Sequence, residues 1–187
     1  MDPVTHFSEF SINAPSPSGN RHNSSGIAYV KEISINPNES LDFGTLNNSD
    51  GQVVDSETKC VVWCVDDFKD ATQKIYDMKF WLSSIAGFVG EGSGNYNVYF
   101  NWHTSNEWMG SGNPTLVHTS GNYVPRSLPS EQNLYKYDGS SSITTSGSDE
   151  SVSQYIYLST SVDPNTPNGQ YGGMDGGFRY RITYKYL

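Results

Sequence analysis

Phe178-Arg179-Tyr180-Arg181-Ile182-Thr183-Tyr184-Lys185-Tyr186-Leu187 decides the reading of this chain. Phe178, Tyr180, Ile182, Tyr184 and Tyr186 share one side of an extended backbone, and Arg179, Arg181, Thr183 and Lys185 share the other. A side-chain period of two, apolar against polar, is the pattern of a β-strand with one buried face. Such a strand needs a partner, supplied either by its own sheet or by a neighbouring molecule. Its cations either solvate the polar face or blunt a sheet edge.

Working outward, the same period recurs. Tyr96, Val98, Phe100 and Trp102 alternate with Asn95, Asn97, Tyr99, Asn101 and His103. Tyr76, Met78, Phe80 and Leu82 alternate with Asp77, Lys79, Trp81 and Ser83. Cys60-Val61-Val62-Trp63-Cys64-Val65 is apolar on both sides, as a strand covered on both faces is. Further strands are expected over 6–12, 27–35, 115–118, 133–137 and 155–162. Turn-forming Gly, Pro, Asn and Ser clusters separate these runs. The sum is roughly eight to ten short strands with no helix, the pattern of an all-β, mostly antiparallel sandwich with long polar loops, Ig-like or jelly-roll. Residues 1–187 form one domain in this reading, with 1–13 an exchangeable N-terminal strand and 14–26 a Pro/Ser/Gly linker.

The formal net charge is -9 and the isoelectric point about 4.7. That balance argues against nucleic acid as a partner, which demands a basic footprint. No apolar run reaches the roughly 18 residues of a membrane-spanning helix. Met1-Asp2-Pro3-Val4-Thr5-His6 lacks the basic and apolar regions of a signal peptide. Cys60 and Cys64, four apart on a strand, have Cα atoms roughly 13 Å apart, too far for a disulfide. They are expected to be buried free thiols.

Ser40-Leu41-Asp42-Phe43-Gly44-Thr45-Leu46, with Gly51 beyond it, resembles the L-x-F-G-x-L…G pattern of Ig-like β-sandwich modules in prokaryotic surface and filament proteins. Pro167-Asn168-Gly169-Gln170-Tyr171 ahead of the last strand is similar to the closing hairpin of those modules, apart from the insertion 172–177. The resemblance implies a Phe43 that enters the core, a bend at Gly44 and a setting on an extracellular surface.

Residue chemistry offers little for catalysis. There is no G-x-S-x-G elbow, and neither cysteine has a nucleophile's context. His103 and His118 converge only if a hairpin brings them together. Asp66, Asp67 and Asp70 crowd one turn, and Asp163 and Asp175 flank another. Flexible acidic turns are where calcium finds oxygen ligands, but neither group follows the calcium-loop spacing. Trp81, Tyr99 and Trp108 are candidate stacking platforms for glycans. The functional reading is a non-catalytic structural subunit of an extracellular filament or virion that assembles with copies of itself through β-strand contacts. A carbohydrate-binding or adhesive module is the alternative. Phe7, Phe10 and Ile12 on the N-terminal strand, and Tyr180, Tyr184 and Tyr186 on the last one, are the candidate assembly residues. Deleting residues 1–13 is expected to leave a folded, unassembled monomer if the strand is exchanged.

Overall fold

A computed structural model describes residues 2–23, 26–33, 41–84, 98–110, 123–166 and 178–187. Among them are nine strands: β1 (Val4–Phe10), β2 (Tyr29–Ile33), β3 (Val54–Asp55), β4 (Lys59–Asp67), β5 (Ile75–Ser84), β6 (Val98–Ser105), β7 (Ser142–Ile143), β8 (Tyr155–Val162) and β9 (Phe178–Tyr186). All pair antiparallel, in two sheets. The larger sheet runs β2-β1-β4-β8, with β3 continuing beside β8 and β6 zipped along β8 from Val98↔Val162 to Ser105↔Tyr155. The smaller sheet runs β7-β5-β9.

The sheets meet over one core. β4 contributes Val61, Trp63 and Val65, and β8 contributes Ile156 and Leu158. β5 answers from the smaller sheet with Ile75, Met78, Phe80 and Leu82. Phe80 is fully buried and stacks between Trp102 of β6, at 5.3 Å, and Tyr180 of β9, at 5.5 Å. It joins the two layers.

β4 is covered on its second face too, as its unbroken apolar run requires. Cys60, Val62 and Cys64 point away from the small sheet, into a second cluster with Phe10, Ala28, Tyr155 and Tyr157. Ile12, Ala14, Trp108, Met109 and Tyr137 close over it. The Met109 backbone N–H donates to the Tyr157 hydroxyl at 2.9 Å, so the buried phenol is satisfied. Burial pushes both thiols up, Cys60 well above its ordinary value and Cys64 likewise. The thiolate is the reactive form, so neither cysteine is expected to react with an aromatic disulfide reagent in the native protein. Both should react once urea unfolds it, and rapid native labelling would contradict this packing.

Three expectations change. The segment 14–26 is packed in its described part rather than a hinge. Pro17 is buried, Ala14 N–H donates to Ser11 O at 3.1 Å, and His22 N–H donates to Asp149 Oδ1 at 3.1 Å. The first strand, expected as exchangeable between copies, lies in this single chain inside its own large sheet, paired to β2 on one side and β4 on the other. Third, the alternation in β5 breaks at Asp77, whose φ is 53° and where the β5–β9 register shifts. This bulge re-aims the chain, so Ile75 is buried and Tyr76 only half-buried.

Smaller differences follow. Of the expected strand 27–35, residues 34–35 lie outside the described residues and β2 begins at Tyr29, leaving Ile27 91% exposed. Residues 133–137 hold β5 without forming a named strand: the Asn133 side chain accepts from Phe80 N–H at 2.7 Å and donates to Phe80 O at 2.9 Å. Asn133→Ala removes both bonds, and about 1–3 kcal/mol of stability is expected to go with them, read from the urea midpoint. Residues 115–118 lie outside the described residues. Phe43 packs at the edge of the main core, and Gly44 has φ 76°, a conformation that favours glycine.

Candidate interaction surfaces

The outward face of the small sheet collects positive charge. β5 and β9 pair as Ser83↔Arg179, Trp81↔Arg181, Lys79↔Thr183 and Tyr76↔Lys185, which sets these side chains in two adjoining rows. Trp81 Nε1–H donates to Thr183 Oγ1 at 3.0 Å, and Arg181 Nε–H donates to Ser83 Oγ at 2.7 Å. The Arg181 guanidinium also stands 5.9 Å from the centre of the Trp81 ring. Lys74, just ahead of β5, has its Nζ 5.7 Å from the centre of the Tyr76 ring. Asp77 Oδ2 faces Lys185 Nζ at 2.9 Å and Lys79 Nζ at 3.4 Å.

Lys74, Lys79, Arg179, Arg181 and Lys185 make five of the chain's 11 Lys and Arg, against the single acid Asp77 on β5 and β9. Five positive against one negative is +4 in a chain of net charge -9, which leaves -13 for the remainder. Arg179, Arg181 and Lys185 are exposed. Among the described residues β9 pairs with β5.

The hydrogen bond from Lys185 holds the Asp77 carboxyl below the usual aspartate range, with a smaller contribution from Lys79. A depressed folded pKa stabilises above the unfolded value and loses that effect as pH falls through the folded one. Asp77→Asn tolerates the positive φ and removes only the charge. It is expected to reduce the acid sensitivity of the β9 amides in hydrogen exchange; an unchanged acid profile would show that the pair does not hold β9.

On the opposite layer, over the outer face of the large sheet, lies a polar cleft of about 690 Å³ lined by His6, His22, Glu32, Asp66, Ser148 and Asp149 among others. Phe7 points into the main core, so its neighbours His6 and Ser8 point out here, beside Cys64 and Asp66. His6 Nδ1 is 2.7 Å from Asp66 Oδ2, and His6 Nε2 is 3.1 Å from Ser8 Oγ. His22 Nε2 lies 3.2 Å from Asp66 Oδ1, with the two imidazoles edge to face at 5.7 Å. Arg21 Nε lies 3.8 Å from Asp149 Oδ2, its guanidinium over the Tyr137 ring at 4.1 Å. Asp66, His6 and Ser8 stand in the order of a hydrolytic triad. Ser8 is fully buried, however, and a nucleophilic hydroxyl must be reachable by the carbonyl it attacks. What this arrangement does in the closed fold is tie β1 and the following loop to the end of β4.

The residues singled out from sequence scatter over these surfaces. Phe7, Phe10 and Ile12 pack within the chain's own two clusters. Tyr180 and Tyr184 face the core, Tyr184 at 5.2 Å from Trp63, and burial pushes both phenols up. Tyr186 is 38% exposed, and its hydroxyl bonds the Asp2 carboxylate, joining the two ends of the described chain. Trp81 is half-buried on the cationic face, Tyr99 stacks on Tyr123 at 5.6 Å, and Trp108 packs edge-on to Tyr155 at 5.2 Å. Asp66 turns to the histidines, Asp67 pairs with Lys69 at 2.9 Å, and Asp70 caps its own turn through Thr72. Asp163 caps the turn at Asn165, and Asp175 lies outside the described residues. No three His, Cys, Asp or Glu side chains are placed to hold a metal ion among the described residues. His103 is exposed, and His118 lies outside the described residues.

Sequence reading missed the His6–His22–Asp66 group and the charge segregation. The former joins residues 60 apart, a distance that no local spacing reveals. The latter was legible once Lys74, Lys79, Arg179, Arg181 and Lys185 were assigned to one sheet. No helix is long and apolar enough to cross a membrane among the described residues. Comparison with protein-family models, with curated proteins and with solved structures gave no match.

Proposed function

We propose that this chain is a non-catalytic structural subunit that assembles with copies of itself through β9 and the outward face of the small sheet. The observation that carries this reading is the segregation of charge: outward Arg179, Arg181 and Lys185 of β9 lie on a +4 face of a protein of net charge -9. Opposite charge concentrated elsewhere on the same molecule draws copies together. An extracellular filament or a virion is the setting proposed, in keeping with the Ig-like surface modules that residues 40–46 resemble.

The test is the triple variant Arg179→Glu/Arg181→Glu/Lys185→Glu. Negative-stain microscopy should show ordered polymers or shells for the wild type and isolated particles for the variant, with circular dichroism showing both folded. Reversing Lys69 and Lys136 instead, away from this face, should leave assembly intact. Assembly by the triple variant at wild-type concentration would remove β9 from the contact. A wild type that stays dispersed and binds a glycan saturably would favour a binding module, with Trp81 the platform to mutate first.

A further inference from the structure

Resting on that reading, we infer that the cationic face of one copy docks in the acidic cleft of the next, so that the contact is head-to-tail and propagates. Two features decide the geometry. The first is what β9 cannot do. Two β9 edges laid side by side, in either direction, set Arg179, Arg181 and Lys185 of one copy against the same three of the other. Like charges directly across a strand pair are destabilising, and cations on an edge strand are a common device against edge-to-edge pairing. A two-fold contact of β9 with itself is therefore disfavoured.

The second feature is where the opposite charge lies. Glu32, Asp66 and Asp149 line the cleft, and exposed Asp67 and Glu150 directly adjoin two of them in sequence. Positive groups facing it are Arg21, held at Asp149, and the imidazoles of His6 and His22 when protonated. Glu32 pairs opposite Ser8 in the β1–β2 ladder and shares its outward side. The cleft thus opens on the outer face of the large sheet, while the five cations lie on the outer face of the small one. The sandwich carries its two charges on opposite layers. A contact between different patches of identical subunits is heterologous, and it closes into a ring or runs on as a filament rather than stopping at a dimer.

The experiment uses two full-length variants. One has a reversed face, Arg181→Glu/Lys185→Glu, and the other a reversed cleft, Glu32→Lys/Glu150→Lys, both changed at exposed positions. Each alone should run at the 20.7 kDa of a single chain in analytical ultracentrifugation under low-salt conditions that assemble the wild type. Mixed one to one, the intact cleft of the first accepts the intact face of the second, giving complexes of at least twice that mass. Assembly of the cleft variant like wild type would overturn the inference while leaving β9 in place. So would a mixture that stays monomeric while the wild type assembles. A wild type that is monomeric at low salt as well would instead bring down the self-assembly reading on which the inference rests. Thermal melting of both variants separates a lost contact from a lost fold.

Discussion

Deleting residues 1–13 is expected to abolish cooperative folding. β1 is hydrogen-bonded on both sides, to β2 from Phe7↔Ile33 to Phe10↔Tyr29 and to β4 from Val4↔Asp67 to Phe10↔Cys60. Its removal detaches β2 and opens one edge of β4, the strand whose residues fill both clusters. It also takes away Phe10, which is 1% exposed. Truncating a buried Phe alone costs about 3–5 kcal/mol, against a total of about 5–15 kcal/mol for a domain. The His6–Asp66 bond at 2.7 Å is lost with it. A thermal scan of the deleted chain should show no sharp transition. A cooperative melt near the wild-type temperature would mean that β1 is dispensable, as an exchanged arm requires.

Phe80→Ala is expected to cost about 3–5 kcal/mol, more than Asn133→Ala or any of the surface charge changes. The side chain is fully buried, and each of its two stacked rings adds about 0.5–1.5 kcal/mol beyond area burial. Because Trp102 belongs to the large sheet and Tyr180 to the small one, the cavity would open at the seam between layers. The urea midpoint should fall with the slope unchanged. Trp81→Ala, one residue on and facing outward, should cost far less despite the larger ring. Equal losses at 80 and 81 would contradict the facing of β5.

How far the sequence led can be judged from these strands. The period of two over 180–185 and 78–83 placed the buried faces correctly, because a half-buried strand leaves that pattern, whereas Tyr186 is 38% exposed and Asn101, on the polar side of its run, is fully buried. The period also failed at Tyr76, where a single αL residue, Asp77, shifts the phase and puts Ile75 inside instead. A bulge of one residue has no signature in hydrophobicity. The two-sided apolar run 60–65 correctly announced a strand covered on both faces, but not that the loop after β1 and residues 108–109 supply the second cover. Pro15, Pro17 and Gly19 read as a linker because composition reports turns and says nothing of what they pack on. Among the site residues, the polar side of β9 was visible in the sequence as a basic run. Its significance needed the sheet order, which brings Lys74 and Lys79 beside it and sets the acids of 32, 66 and 149 on the other layer.

The most direct test of self-assembly through opposed charge is the mass of the wild-type protein by light scattering, followed across concentration at low and at high salt. Mass should climb with concentration at low ionic strength and return to the 20.7 kDa of one chain in about 1 M salt, where the screening length shrinks to about 3 Å. A mass of one chain at every concentration and every salt would contradict it.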